Sequence, residues 1–364
     1  MTASLTVAGF AEALGRSMPW SQAADWDPVG LVLGDPRAGV ETAAVCHDVT
    51  EAVVGAVAEG PAGVLIAYHP LLLRPVARLV AGPGPVGRAF RLIAAGVALV
   101  VPHTAFDVAP GGTADALAAA LGLGRTTGFG PLWGRPSVKV VTFAPRDHAD
   151  AVAAAMADAG AGTIGTYTAC SFRVNGTGTF LPGPGSEPFA GDVGALQHED
   201  ETRIEVNVPE SRLHRVVAAL VAAHPYEQPA YDVVSRKGDA GFVGRVGDLE
   251  RPLSLADLAA LVARALGPNR VAGDRSRRVS RVAVLPGSGR DFIGDAVAAG
   301  ADVLVTGDVT HHRAAEALDR GLAVIDPGHA ATETPGVARL YAAVSQLVPA
   351  VDLTAGADPW TEGA

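Results

Sequence analysis

Three histidines stand just beyond short apolar runs, where a side chain leaves a hydrophobic layer and meets solvent. His69 closes Val64-Leu-Ile-Ala-Tyr-His69-Pro70, His103 follows Leu99-Val-Val-Pro102, and His329 follows Ala323-Val-Ile-Asp-Pro-Gly328. Two of them have a carboxylate four residues on, His103 with Asp107 and His329 with Glu333. On a helix that starts at the histidine, this spacing puts imidazole and carboxylate on one face. Neutral imidazole and carboxylate are ligands for zinc, manganese or iron. A carboxylate such as Asp107 or Glu333 could bridge two cations, which would activate water against a phosphoryl, carbonyl or ring carbon. Any one of these histidines alone reads equally well as a hydrogen-bonded strand-end side chain. Three apolar strands ending in the same way favour metal.

The spacing by itself is weak. With 38 acidic residues among 364, ten histidines give roughly one His-x-x-x-Asp/Glu pair by chance. Four occur, the other two being His47 with Glu51 and His312 with Glu316. Position carries the weight, because open α/β sheets bind ligands just outside the carboxyl ends of their strands. Val303-Leu-Val-Thr-Gly-Asp308 is a fourth such end. Asp308 reads as a cap on the following helix or as part of a substrate pocket. His312 reads as a proton shuttle or as an outer partner of a metal ligand. Trp26, in Trp26-Asp-Pro-Val-Gly30, could line a substrate mouth or anchor a turn as a buried ring. Leu285-Pro-Gly-Ser-Gly-Arg-Asp291 could cradle a phosphate at a helix start, but it lacks the full dinucleotide or P-loop pattern.

The elements that must position these residues follow from hydrophobic periodicity. Apolar strands at 43–46, 63–68 and 97–101 alternate with helices at 51–59, 86–95 and 113–121. The alternation returns with strands at 279–285, 302–306 and 323–326 and helices at 253–266, 291–299, 310–320 and 332–347. Continuous apolar strands between helices indicate a mostly parallel sheet buried on both faces. The breaker-rich stretches 128–136 and 237–241 read as linkers. Between them lie a strand at 138–143, a helix at 147–159, strand-like stretches within 165–180 and at 202–208, a helix at 210–222 and a strand at 230–234. That βαββαβ order is the signature of a ferredoxin-like unit. The expected fold is therefore α/β: a discontinuous two-lobed domain from 1–132 and 240–364, with an inserted ferredoxin-like domain at 137–236.

Composition narrows the function classes. Hydrophobic residues make up 49% and charged residues 18%, enough for a sizeable core. A net charge of -10 argues against general nucleic-acid or membrane-surface binding. Arg275-Ser-Arg-Arg278 reads as a solvated loop. Cys46 and Cys170 can form neither a disulfide framework nor a thiolate zinc site, and neither has an evident base partner for thiol catalysis. No charged N-terminal segment leads into an apolar stretch, and no apolar run reaches ~18 residues. A cytoplasmic protein is expected.

Several of these stretches occur together in a characteristic order: Trp26-Asp-Pro-Val-Gly30, Tyr68-His-Pro70, His103-Thr-Ala-Phe-Asp-Val-Ala-Pro-Gly-Gly112, Thr306-Gly-Asp308 and Asp326-Pro-Gly-His-Ala-Ala-Thr-Glu333. Jointly they resemble the NIF-three-like family, whose members carry the name GTP cyclohydrolase 1 type 2 homologue. The resemblance runs nearly end to end. The inserted segment, with His224-Pro-Tyr-Glu227, is similar to the PII/CutA-like insert of the longer members. The resemblance implies a dinuclear divalent-metal centre in a toroidal homohexamer, with ligands His69, Asp107, His329 and Glu333 and with His103 at the edge of the site. Where the family has His-His-Pro, this chain has Tyr68-His69-Pro70. Tyr68 would then ligate through its phenol, sit behind the ligands, or leave one metal position impaired. The implied activity is hydrolysis of a nucleotide or phosphorylated small molecule. In its cyclohydrolase form, water attacks C8 of the GTP base and formate is lost, with His103 or His312 moving protons. A non-enzymatic metal-binding hexameric scaffold or regulatory protein is the alternative.

Overall fold

The computed structural model describes residues 5–133, 137–164, 167–236 and 240–355. The first and last of these segments form one compact unit, and the residues between them form another. The first segment folds as α1 (Val7–Ser17), β1 (Gly30–Leu33), β2 (Ala43–Cys46), α2 (Glu51–Glu59), β3 (Val64–Ala67), α3 (Gly84–Ala94), β4 (Ala98–Val101), α4 (His103–Val108), α5 (Thr113–Ala120) and β5 (Thr126–Trp133). The middle unit holds β6 (Ser137–Pro145), α6 (Ala149–Asp158), β7 (Phe172–Phe180), β8 (Gln197–Pro209), α7 (Leu213–Ala223) and β9 (Tyr231–Arg236). The last segment adds β10 (Ala240–Ser254), α8 (Leu255–Leu266), β11 (Arg270–Ala272), β12 (Arg278–Ser288), α9 (Ile293–Ala298), β13 (Val303–Gly307), α10 (His311–Asp319), β14 (Ala323–Asp326), α11 (His329–Ser345) and β15 (Ala350–Leu353).

The larger unit contains two sheets. One has the order β1-β4-β3-β2-β15, parallel except for β1. Every residue of β2, β3 and β4 is buried, because helices cover both faces of a parallel layer. On one face Phe10 and Leu14 of α1 and Val337 and Leu340 of α11 pack on Val45, Ile66 and Val100. On the other, Val54 of α2 and Leu92 of α3 meet Ala44, Leu65 and Leu99. Helix α2 starts cleanly, since the Thr50 hydroxyl accepts the N–H of Val53. The fold is thus the expected α/β mixture.

The second sheet runs β11-β14-β13-β12-β10-β5. Its centre, β12-β13-β14, is parallel, whereas β10, β5 and β11 pair antiparallel. The boundary between the two units falls within both linker stretches, but their described residues are strand. Thr126–Trp133 and Ala240–Gly247 form one continuous antiparallel ladder. Glycines make room in this ladder: a Cβ on Gly128 would lie 2.6 Å from the Phe242 side chain, and one on Gly244 would lie 2.3 Å from Phe129. Pro131 is tolerated because β5 is an edge strand.

In the middle unit the elements follow one another as β-α-β-β-α-β, in an antiparallel sheet of order β7-β8-β6-β9. Val152 and Met156 of α6 and Val216 and Leu220 of α7 bury against Val140, Ile204 and Val206. Among the described residues of the chain, no helix is long and apolar enough to cross a membrane.

Candidate metal centre

Parallel pairing decides which side chains meet. The neighbours β2, β3 and β4 end in His47-Asp48, Tyr68-His69 and Pro102-His103, all at the same edge of the first sheet. The ladder continues past the strands, with the Tyr68 and His69 N–H groups each 3.0 Å from the carbonyls of Cys46 and His47. From the second sheet, β14 ends at Asp326, whose carboxylate accepts the N–H of Gly328 at 2.9 Å and turns the chain into α11. His329 is the first residue of that helix and Glu333 lies one turn on.

Glu333 is the hub. Its side chain is buried, 5% exposed, yet it is surrounded by imidazoles. Oε2 lies 2.7 Å from His47 Nε2 and 3.3 Å from His69 Nε2, and Oε1 lies 3.0 Å from His329 Nε2. His47, His69 and Glu333 offer ligand atoms within 4.8 Å of one another, a group that could hold a metal ion. Burial alone would raise the Glu333 carboxyl, but hydrogen bonds with His329, His47 and His69 hold it well below the usual carboxylate range. For His69, burial favours the neutral ring, but hydrogen bonds to Asp48 and Glu333 push it up to about 10. The hydrogen bond to Glu333, with burial opposing and Asp308 assisting, raises His329 to about 9.

The outer ring nitrogens are held as well. His69 Nδ1 lies 3.1 Å from Asp48 Oδ1, and His329 Nδ1 lies 2.7 Å from Asp308 Oδ2. A carboxylate on Nδ1 with Nε2 turned inward is the arrangement that orients metal-binding histidines. Asp107 is reached through Tyr68, whose buried hydroxyl donates to Asp107 Oδ1 at 2.5 Å. Burial, partly offset by the nearby His103 and by this hydrogen bond, raises Asp107 to about 6.

His103 stands beside the cluster, its ring centre 5.5 Å from that of His69. Asp27 Oδ2 fixes it, lying 2.9 Å from His103 Nδ1 and accepting both the N–H (3.1 Å) and the hydroxyl (2.5 Å) of Thr104. Trp26 meets His103 edge-on at 6.0 Å and is 56% exposed, so it is no buried anchor. His103 and Asp308 both have left-handed backbones, φ 29° and 58°. Such conformations in residues other than glycine concentrate where a site imposes them.

One carboxylate is thus shared by imidazoles from two sheets. A family model described as Duf34/NIF3 (NGG1p interacting factor 3) matches residues 5–356. The chain belongs to this family. A Mycobacterium tuberculosis protein named GTP cyclohydrolase 1 type 2 homolog is 39% identical over 370 residues, covering 98% of this chain and 97% of its own. A protein of the same name from Halalkalibacterium halodurans is 37% identical over 319 residues, 86% of each chain. Among solved structures, a Bacillus cereus protein related to NIF3 matches with a TM-score of 0.65 at 35% identity, over 98% of this chain and 99% of that one.

In this NIF3-family chain the sequence-derived residues fare differently. His69, His329 and Glu333 converge directly, while Asp107 and His103 adjoin them. Asp308 holds His329 instead of capping α10, whose N-cap is Thr310. His312 is exposed in the first turn of α10, its ring beside His311, and does not join the cluster. The glycine-rich 285–291 turn is no phosphate cradle. Its Gly287 and Gly289 N–H groups donate to the hydroxyls of Thr332 (2.8 Å) and Thr306 (2.9 Å). Gly287, at φ 65°, instead lets the backbone approach Glu333, since a Cβ there would lie 2.6 Å from Oε1.

His47 was the residue missed as a ligand candidate. Helical spacing assigned it to Glu51, which is exposed and pairs with Arg88 and Arg91 instead. The available signal was its position, the first residue after an apolar strand. Asp48 and Asp27 were missed too, because orienting carboxylates have no spacing rule. Cys46 is buried, and that burial, with Asp48 nearby, pushes its thiol up and away from nucleophilic use. In the middle unit, His224 bonds the Phe143 carbonyl and Tyr226 donates to Glu201, an internally satisfied turn before edge strand β9.

Proposed function

We propose that this chain is a metal-dependent hydrolase of a nucleotide or phosphorylated small molecule, with two divalent cations per subunit drawn from zinc, manganese or iron. The proposed ligands are His69, Asp107, His329 and Glu333, joined by His47. One observation carries the reading: a buried carboxylate faces three imidazole Nε2 atoms. Nitrogen and carboxylate oxygen donors in this ratio suit those borderline metals. Bound there, such cations polarise a substrate oxygen and lower the pKa of a coordinated water to about 7.

The chain's own residues divide the remaining work. Asp48 and Asp308 hold His69 and His329 with Nε2 inward, and Tyr68 holds Asp107. His103, fixed by Asp27 beside the cluster, is the proton carrier in this reading, while the exposed His312 is not. Trp26 forms a rim against which a planar base can rest.

The assembly proposed is a toroidal homohexamer in the cytoplasm, with no membrane or nucleic-acid partner. Residues 137–236 are proposed as a ferredoxin-like, PII/CutA-like insert in a discontinuous domain of residues 1–132 and 240–364. The β-α-β-β-α-β order supports this.

The test combines metal content with turnover. Purified protein carrying about two ions per chain should hydrolyse GTP or a member of a nucleotide and phosphoester panel, and Asp107→Ala should lose that turnover. No turnover across the panel at full metal loading overturns the hydrolase and leaves a metal-binding scaffold or regulatory protein.

A further inference from the structure

The Glu333 carboxylate is not shared evenly. Its Oε2 faces two imidazole nitrogens, at 2.7 Å from His47 and 3.3 Å from His69. Its Oε1 faces one, at 3.0 Å from His329. The rings on the Oε2 side are also the more buried. The His47 side chain is 2% exposed and packs against the rings of Tyr68 and His69, with centroids at 5.4 and 4.9 Å. His69 is pinned by Asp48. On the Oε1 side, His329 is 36% exposed and its Asp308 partner 51%.

Resting on the metal-centre reading above, we propose that the two oxygens of Glu333 serve cation positions of unequal affinity, the tight one on the Oε2 side completed by His47. Three protein donors around one cation, with the next coordination place left to water, is a complete set for zinc. The Oε1 side offers His329 on a more exposed rim. Preorganisation adds to the difference, since buried rings already held in place lose little freedom when a cation arrives. Tyr68 is a positioning residue and not a ligand. Its phenol donates its proton to Asp107 Oδ1 and so holds that carboxylate in place.

The test is a metal titration of the full-length, metal-stripped protein, by calorimetry with zinc and by visible absorption with cobalt(II). Wild type should bind in two separable steps. His47→Ala and the more volume-preserving His47→Gln should each weaken the first step by at least the roughly 10–100-fold that loss of a mere outer partner costs. His329→Ala should remove the second step and keep the first. Tyr68→Phe should keep the first step and its cobalt spectrum. Two steps of equal affinity overturn the proposal, as does a first step that survives in both His47 variants or disappears in His329→Ala or Tyr68→Phe. Absence of any binding by wild type overturns the metal-centre reading itself.

Discussion

His329 and Asp308 meet through Nδ1 and Oδ2 at 2.7 Å, and the opposite nitrogen of the same ring lies 3.0 Å from Glu333. Asp308 thereby fixes which nitrogen faces the hub. Asp308→Asn tolerates the left-handed backbone, as asparagine commonly does, but removes the charge that orients the ring. Metal affinity on the His329 side should fall by about 10–100-fold, measured by titration of metal-stripped protein. Unchanged binding would show that the carboxylate does not orient the ring.

Acidity gives a second prediction. His69 and His329 are raised to about 10 and about 9, from an ordinary 6.5. Groups raised on folding stabilise the folded state fully below pH 6.5, and that contribution is lost as pH climbs through 9 to 10. A cation needs the same nitrogens unprotonated, so its affinity rises over that window. The gain in Tm on adding zinc or manganese should therefore grow from pH 6.5 to pH 10 relative to chelator-treated protein. A gain that stays flat across the range contradicts the assigned protonation. Glu333 has the opposite sign: depressed on folding, it stabilises above its ordinary range, and the contribution is lost as pH falls through its folded value.

Gly287 offers a steric prediction. Its φ is 65°, and a Cβ would lie 2.6 Å from Glu333 Oε1. Gly287→Ala should cost about 1–3 kcal/mol in denaturant unfolding from backbone conformation alone. Displacement of Glu333 should also weaken metal binding. A variant with wild-type stability and wild-type metal affinity would mean that the turn relaxes freely.

Asp27 is the fourth. Its Oδ2 is the shared acceptor for His103 Nδ1, the Thr104 N–H and the Thr104 hydroxyl, in a site where Asp27 is 1% exposed. Asp27→Ala leaves those donors without their acceptor and should destabilise the protein by about 1–3 kcal/mol. Chemical unfolding of the variant beside wild type measures this. An effect below a few tenths of a kcal/mol would indicate that the 103–104 corner is held by other contacts.

Local chemistry made much of this protein legible before any coordinates. Val64–Ala67 and Ala98–Val101 are apolar throughout because both sheet faces are covered, and periodicity finds such runs. His329 and Glu333 could be placed on one face of a helix because their relationship spans a single turn. The linker stretches do hold the boundary between the units, but the pairing of β5 with the start of β10 was not legible, since what tolerates Gly128 and Pro131 is a partner strand more than a hundred residues away. His47 marks the same boundary most clearly. Its sequence neighbour Glu51 turns to Arg88 and Arg91, while its actual partner, Glu333, lies 286 residues on. Sequence determined which side chains stand at the ends of buried strands. Only the order of those strands, and the helix carrying Glu333 between the two sheets, decided which of them meet, because pairing across a sheet is set by long-range packing that no local spacing encodes.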